Sequence, residues 1–242
     1  MAAYKELASV YDELMGEEIY AKFNKIITSM INKYDRTAKS VLELGCGTGN
    51  ILIPLSKKFE TTGLDISKEM LAIARKKDKK SKYIQADMTS FRLNKKFDVI
   101  LCMYDTINHL KVFDDWQKTF KNTYNHLSEK GLFIFDFNTQ AKFDSFKEPK
   151  RSWSKLMDTI VLSQTSSRND LALWDDIILK KKGNMYKMFS DQVVEKTFPL
   201  KKVEAALISA GFKVKQIFDE NGKGPNKDSR RLFVTCMKEL IK

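Results

Sequence analysis

The sequence predicts an α/β chain whose sheet is mostly parallel, with an antiparallel addition late in the chain. Three observations carry this. Residues 99–102, Val-Ile-Leu-Cys, form an unbroken apolar run of the kind found in strands covered on both faces. Residues 41–65 read as strand, glycine-rich turn, helix and strand in succession. Residues 155–198 alternate apolar and polar positions between turn signals, the pattern of antiparallel strands.

The chain opens on an amphipathic helical arm over residues 4–34, where Leu7, Val10, Leu14, Phe23, Ile27 and Met30 recur at helical spacing. Gly16 divides it into two helices. The first strand is expected at 40–44, followed by the turn Gly45-Cys46-Gly47-Thr48-Gly49 and a helix over about 50–58 that carries Pro54 near its start. A second strand, 61–64, closes on Asp65, and Ser67 can cap the helix that carries Met70, Leu71 and Ala74 on one face. Strands at 82–85 and 99–102, a helix over 114–127 and a fifth strand from Gly131 to Asn138 continue the pattern. A three-stranded meander is then expected at 155–165, 171–181 and 185–198. A helix over 200–210 and strands at 212–218 and 231–237 close the chain.

A glycine turn at a helix start, with an acid ending the next strand, suits a nucleotide-type ligand: backbone N–H groups lie open to it and the acid can hold ribose hydroxyls. A dinucleotide fingerprint needs a third glycine at position 50, which is Asn50. The spacing is Glu43-x-Gly45-x-Gly47-x-Gly49, and it resembles that of the class I methyltransferases that use S-adenosylmethionine. The resemblance runs over nearly the whole chain, to the small-molecule branch that includes amino-sugar and glycine N-methyltransferases. It implies a Rossmann-like, seven-stranded, mostly parallel sheet with an antiparallel last strand, a fold that the closing hairpin also favours.

The same resemblance implies the site. S-adenosyl-L-methionine would be held by Glu43, Gly45, Cys46, Gly47, Gly49 and Met103, with Asp65 on the ribose and Ile66, Met70, Asp87 and Met88 around the adenine. An ionised carboxylate such as Asp87 is acceptor-only and suits an amino group. Tyr11, in the pair Tyr11–Asp12, would cover the cofactor or face the substrate; its other reading is a core aromatic. Tyr104, Asp105, Asn108 and His109 cluster at the end of the fourth strand, where ligands gather in such sheets, and are assigned to the acceptor. His109 and Tyr11 are the candidates for a general base; Asn108 and His109 can also be read as a helix cap and a surface imidazole. Trp153, Trp174 and Tyr186 either line the acceptor site or hold the meander together.

Composition bounds the partners. The net charge of +12 rests mostly on scattered lysines, which allows a nucleic-acid partner but fits a solvated surface better, since base reading and phosphate gripping favour arginine. Three separated cysteines suggest neither a disulfide framework nor a metal site. No run of about 18 apolar residues occurs, so no membrane partner and a cytoplasmic location are expected. The reading is a small-molecule methyltransferase acting on an amine or hydroxyl, monomeric or homodimeric, with an RNA or protein methyltransferase as the alternative. Its expected divisions are a helical arm (1–35), a cofactor core (36–150), an acceptor-side β insertion (151–198) and the core's return (199–242).

Overall fold

The computed structural model describes residues 6–239. Residues 4 and 5 of the predicted arm, and the last three of the final division, lie outside them. After a 3-10 turn at Leu7–Val10, the arm forms α1 (Tyr11–Met15) and α2 (Glu17–Tyr34), which part at Gly16.

The core sheet has seven strands in the order β10-β11-β5-β4-β1-β2-β3. These are β1 (Ser40–Leu44), β2 (Glu60–Asp65), β3 (Lys82–Gln85), β4 (Phe97–Cys102), β5 (Leu127–Asn138), β10 (Phe212–Asp219) and β11 (Arg231–Lys238). β1 to β5 pair in parallel, while β11 runs antiparallel to both β5 and β10. Successive residues of the central strands point to opposite faces. Val41, Val99 and Leu101 pack with Phe23, Ile27 and Ile31 of α2. Leu42, Leu44 and Ile100 pack with Trp116 and Phe120 of α5 (Phe113–His126) and Leu207 of α6 (Leu200–Ser209). Full coverage of both faces is why these strands read as apolar runs rather than alternating ones.

Two elements differ from expectation. The helix after the glycine turn is α3 (Leu52–Leu55), shorter than predicted. Pro54 lies in its first turn, where a missing N–H costs little, and beyond Leu55 the segment continues as turns closed by the N–H groups of Lys58 and Phe59 on Leu55 O. The insertion has four strands rather than three, in the order β6-β7-β8-β9. These are β6 (Lys150–Leu156), β7 (Thr159–Arg168), β8 (Leu171–Lys182) and β9 (Met185–Lys196). The predicted first strand runs across the tight turn at Met157, whose φ is +42°. β6 is an edge strand with few buried positions, so its sequence lacks the alternation that marks its neighbours.

The insertion is joined to the arm by Val161 and Ile178 packing on Leu7 and Val10. Asp191 of β9 also accepts the backbone N–H groups of Glu6 and Leu7 at 3.0 and 2.8 Å. Among the described residues, no helix is long and apolar enough to cross a membrane.

Candidate active site

The glycine turn, the ends of β2, β3 and β4, the arm and strands β8 and β9 enclose a cavity of about 1360 Å³. Its floor is the turn after β1. Gly45 has φ +66°, and a Cβ there would lie 2.2 Å from Thr106 Cγ2, so only glycine lets the fourth-strand end approach this closely. Gly47 N–H donates to Asp65 Oδ2 at 2.8 Å, while Ser67 N–H donates to Oδ1 at 2.8 Å. The carboxylate that ends β2 is thereby aimed along the turn. Burial raises its pKa, against the pull of those N–H groups.

Glu43 of β1 is 2% exposed, and its Oε2 has no hydrogen-bond partner among the described residues. Burial, reinforced by the charge of Asp65, holds its carboxyl well above the usual range. A buried acceptor without a donor is costly, so this wall of the cavity fits a ligand that brings a donor, such as an ammonium group.

The arm closes one side. Tyr11 lines the cavity, and Asp12 accepts from Thr48 Oγ1 at 2.5 Å, Asn50 Nδ2 at 2.8 Å and Lys77 Nζ at 2.6 Å. Burial pushes the Asp12 pKa up, but these three donors outweigh it and the net shift is downward. Lys77 belongs to α4 (Lys68–Lys77), so Asp12 binds the arm, the glycine turn and the next helix together. The sequence marks Asp12 only as the neighbour of Tyr11; its partners are far along the chain.

At the end of β4 the backbone is strained: Tyr104 and Asp105 have φ of +60° and +53°. Asp136 of β5 holds them there by accepting the N–H of Tyr104 at 2.5 Å and of Asp105 at 3.0 Å. Arg231 Nη1 also donates to Asp136, and Arg231 Nη2 to Asp105 Oδ1 at 2.9 Å. Burial raises the Asp136 pKa to about 6 despite the guanidinium. Burial likewise pushes Asp105 up, but there Arg231 prevails and the net shift is downward. The following 3-10 turn (Thr106–His109) delivers His109 to the cavity. Burial lowers the His109 pKa, against the upward pull of Asp105, so its imidazole is neutral at pH 7.

Of the residues assigned from sequence, the cavity brings together Tyr11, Glu43, Gly45, Cys46, Gly47, Asp65, Ile66, Met70, Asp87, Met88, Met103, Tyr104 and His109. Asp87 also accepts the N–H and hydroxyl of Thr89, both at 2.7 Å. Gly49 lies outside, packed near Tyr83 and Ile53. Five residues assigned to the acceptor site lie away from the cavity lining. Asp105 is the partner of Arg231, and Asn108 is fully buried, where it donates to Asn138 O and Lys196 O and joins β5 to β9. Trp174 packs on Phe146 with ring centroids 5.8 Å apart, and Trp153 is 68% exposed on β6. Tyr186 is exposed near the β8–β9 turn, also away from the cavity. The insertion contributes Asp175, Asp176, Ile177, Phe189, Asp191 and Gln192 instead. Sequence reasoning missed them because acids on a strand read as solvated, and which face meets a cavity depends on docking. Among the described residues, no three His, Cys, Asp or Glu side chains are grouped as a metal site.

A parallel sheet with a reversed terminal hairpin, a glycine turn under a cavity and an acid closing the second strand define a class I methyltransferase. Residues 41–131 match a family model described as a methyltransferase domain. The chain is 30% identical over 243 residues to the putative methyltransferase YqeM of Bacillus subtilis, covering 97% of each. It therefore belongs to the class I S-adenosylmethionine-dependent methyltransferases, and S-adenosylmethionine is its cofactor. A crystal structure of an S-adenosylmethionine-dependent methyltransferase from Clostridium acetobutylicum superposes with a TM-score of 0.84 at 27% identity, covering 97% of this chain and 98% of that one. A third relative is the dTDP-3-amino-3,4,6-trideoxy-alpha-D-glucopyranose N,N-dimethyltransferase of Streptomyces venezuelae, 31% identical over 132 residues, with 53% of this chain and 56% of that protein covered.

Proposed function

We propose that the protein transfers a methyl group to an amine or hydroxyl of a small-molecule acceptor. The observation that carries this is the shared cavity: β8 and β9 line the same space that the glycine turn opens, which leaves room for an acceptor beside the cofactor. The amino-sugar acceptor named for the Streptomyces venezuelae relative supports a small molecule. When bound, the cofactor supplies a sulfonium methyl that needs no further activation. The protein's work is then alignment and exclusion of water.

In this reading Glu43 takes the ammonium of the cofactor's amino-acid end, which rests on Gly45, Cys46, Gly47 and Met103. Asp65 takes the ribose hydroxyls, while Ile66, Met70, Asp87 and Met88 surround the adenine. Gly49 shapes the turn. Tyr11 covers the site, and His109, at the cavity, removes the acceptor's proton, with Tyr11 as the second candidate base. Of the described residues, 36–150 and 199–239 form the cofactor core, 6–35 the cover and 151–198 the acceptor wall, in a cytoplasmic monomer or homodimer.

The test is a screen with methyl-labelled cofactor against fractionated metabolite pools, total RNA and total protein. Label in a small-molecule fraction is the expected result. Label in RNA or protein alone overturns the reading in favour of a macromolecular acceptor, which the +12 charge would favour.

A further inference from the structure

Among the described residues, the buried side-chain oxygens without a hydrogen-bond partner include only two on residues that line the cavity. One is Oε2 of Glu43, an acceptor. The other is the hydroxyl of Tyr20 on α2, a residue 8% exposed whose ring centroid lies 5.7 Å from that of Tyr104. Burial raises the phenol's pKa, against the pull of Asn50 and Tyr11, which come near without closing a hydrogen bond to it, and with the help of the charges of Asp12 and Glu43. The phenol therefore keeps its proton at neutral pH and is able to donate it. Asn50, Tyr11 and Glu43 all line the cavity, so the hydroxyl end of the ring lies on the cavity side.

The neighbouring side-chain donors are taken: Thr48 Oγ1, Asn50 Nδ2 and Lys77 Nζ donate to Asp12, and Lys77 donates to Asn50 Oδ1 as well. The cavity's own lysines, Lys68 and Lys111, are both exposed. A buried donor without an acceptor is costly, so the Tyr20 hydroxyl marks where a ligand brings one. S-adenosylmethionine carries two charged groups on one α-carbon: an ammonium, which can only donate, and a carboxylate, which can only accept. Glu43 answers the first in the reading above. Its charge reaches Tyr20, so the two bare atoms are close enough to serve the same α-carbon. The sulfonium is a cation and accepts no hydrogen bond, while ribose and adenine lie with Asp65 and Asp87 in that reading, which leaves the carboxylate.

We propose that the hydroxyl of Tyr20 donates a hydrogen bond to the carboxylate of the cofactor's amino-acid end, so that Tyr20 and Glu43 together read the zwitterion and select against nucleosides that lack it. The inference rests on the reading that places the ammonium on Glu43. The bond has an ionised acceptor and a neutral donor, which makes it stronger than one between neutral groups. Holding both groups of the α-carbon also holds the chain that carries the sulfonium, and with it the direction in which the methyl group faces the acceptor.

The experiment is calorimetry on the full chain with S-adenosylhomocysteine, its decarboxylated analogue, which keeps the amine, and methylthioadenosine, which has neither group. Tyr20→Phe keeps the ring that packs on Tyr104. It is expected to weaken S-adenosylhomocysteine at least about ten-fold, a typical loss for a hydrogen bond to a charged group, and to leave the other two ligands within about two-fold of wild type. If Tyr20→Phe does not fold, the Cζ resonance of Tyr20 in the wild-type chain reads the same contact by NMR: it is expected to move with S-adenosylhomocysteine and to stay in place with the decarboxylated analogue. Unchanged affinity for S-adenosylhomocysteine in Tyr20→Phe, equal losses for it and the decarboxylated analogue, or a Cζ resonance that moves alike with both overturns the inference. Glu43→Gln separates the inference from the reading beneath it, being expected to weaken both amine-bearing ligands and to spare methylthioadenosine. If Glu43→Gln spares all three while Tyr20→Phe still discriminates, the ammonium assignment falls and the role of Tyr20 stands.

Discussion

Lys77 Nζ lies 2.6 Å from Asp12 Oδ2, so helix α4 is tied to the N-terminal arm across the glycine turn. Both side chains are about one-third exposed, which makes the ion pair alone worth about 0.2–1 kcal/mol. Asp12 also accepts from Thr48 and Asn50, so it carries more than the pair. Asp12→Ala is expected to weaken cofactor binding about ten-fold through loss of the arm, with Lys77→Ala costing less than about five-fold. Calorimetric titration with S-adenosylmethionine measures both, and an unchanged Kd for Asp12→Ala removes the arm from the cofactor site.

Asp65 and Glu43 are the two carboxyls at the cofactor end. Asp65→Ala is expected to lower cofactor affinity about 100-fold, equivalent to about 2.8 kcal/mol. Glu43→Gln keeps the shape but exchanges an acceptor oxygen for a donor and is expected to cost about ten-fold. Each Kd is read beside a melting curve, and full affinity in a folded Asp65→Ala protein excludes the ribose assignment.

The pair Asp105–Asp136 depends on one guanidinium. Arg231→Met leaves buried carboxyls uncompensated and is expected to destabilise the fold by about 3–5 kcal/mol at neutral pH. The folded pKa of Asp136, about 6, lies above its ordinary 3.8, so the native state binds more protons in that window and this carboxyl lowers stability as pH rises through it. Asp105 is shifted downward and acts in the opposite sense, adding stability above its unfolded pKa. Removing the arginine raises both, so the Tm deficit of Arg231→Met is expected to shrink as pH falls from about 7 to 4 in scanning calorimetry.

The chain has two histidines, which makes His109 easy to follow by NMR. Its pKa is expected below the ordinary 6.5, because burial outweighs the pull of Asp105. The unfolded state then takes up the proton first on acidification, so stability from this group rises with pH through the window and is lost below it. Asp105→Asn is expected to lower the His109 pKa further. Once the acceptor is in hand, the acid limb of kcat/KM should follow the imidazole, and His109→Ala should lose that limb.

Much of the cofactor end is legible in the sequence because it is local. Gly45, Gly47 and Asp65 lie within one strand–turn–helix–strand unit, and their spacing survives any packing of the rest. The acceptor end is not local. Asp105 and Asn108 look like ligand-binding groups until Arg231, Asn138 and Lys196 arrive from distant strands and occupy them. Trp174 and Asp176 show the same limit within one strand: alternation puts them on one face, but only docking decides which positions meet a cavity, and here Trp174 packs on Phe146 while Asp176 lines the space. The edge strand β6 escaped because an edge needs little apolar surface to hold it.

The position of β11 between β5 and β10 has a consequence for synthesis. A nascent chain emerges N-terminus first, so β5 keeps one bare edge until residues 231–238 have left the ribosome. Arg231 arrives with that strand, and until then the carboxyls of Asp105 and Asp136 lack their guanidinium. The residues assigned to the donor all precede Tyr104 and can assemble early, whereas the bend that presents His109 is locked only once Arg231 and its strand have emerged. A nascent chain that has not yet released β11 thus holds the donor's pocket before the acceptor side is set, and the two halves of the site become competent in sequence.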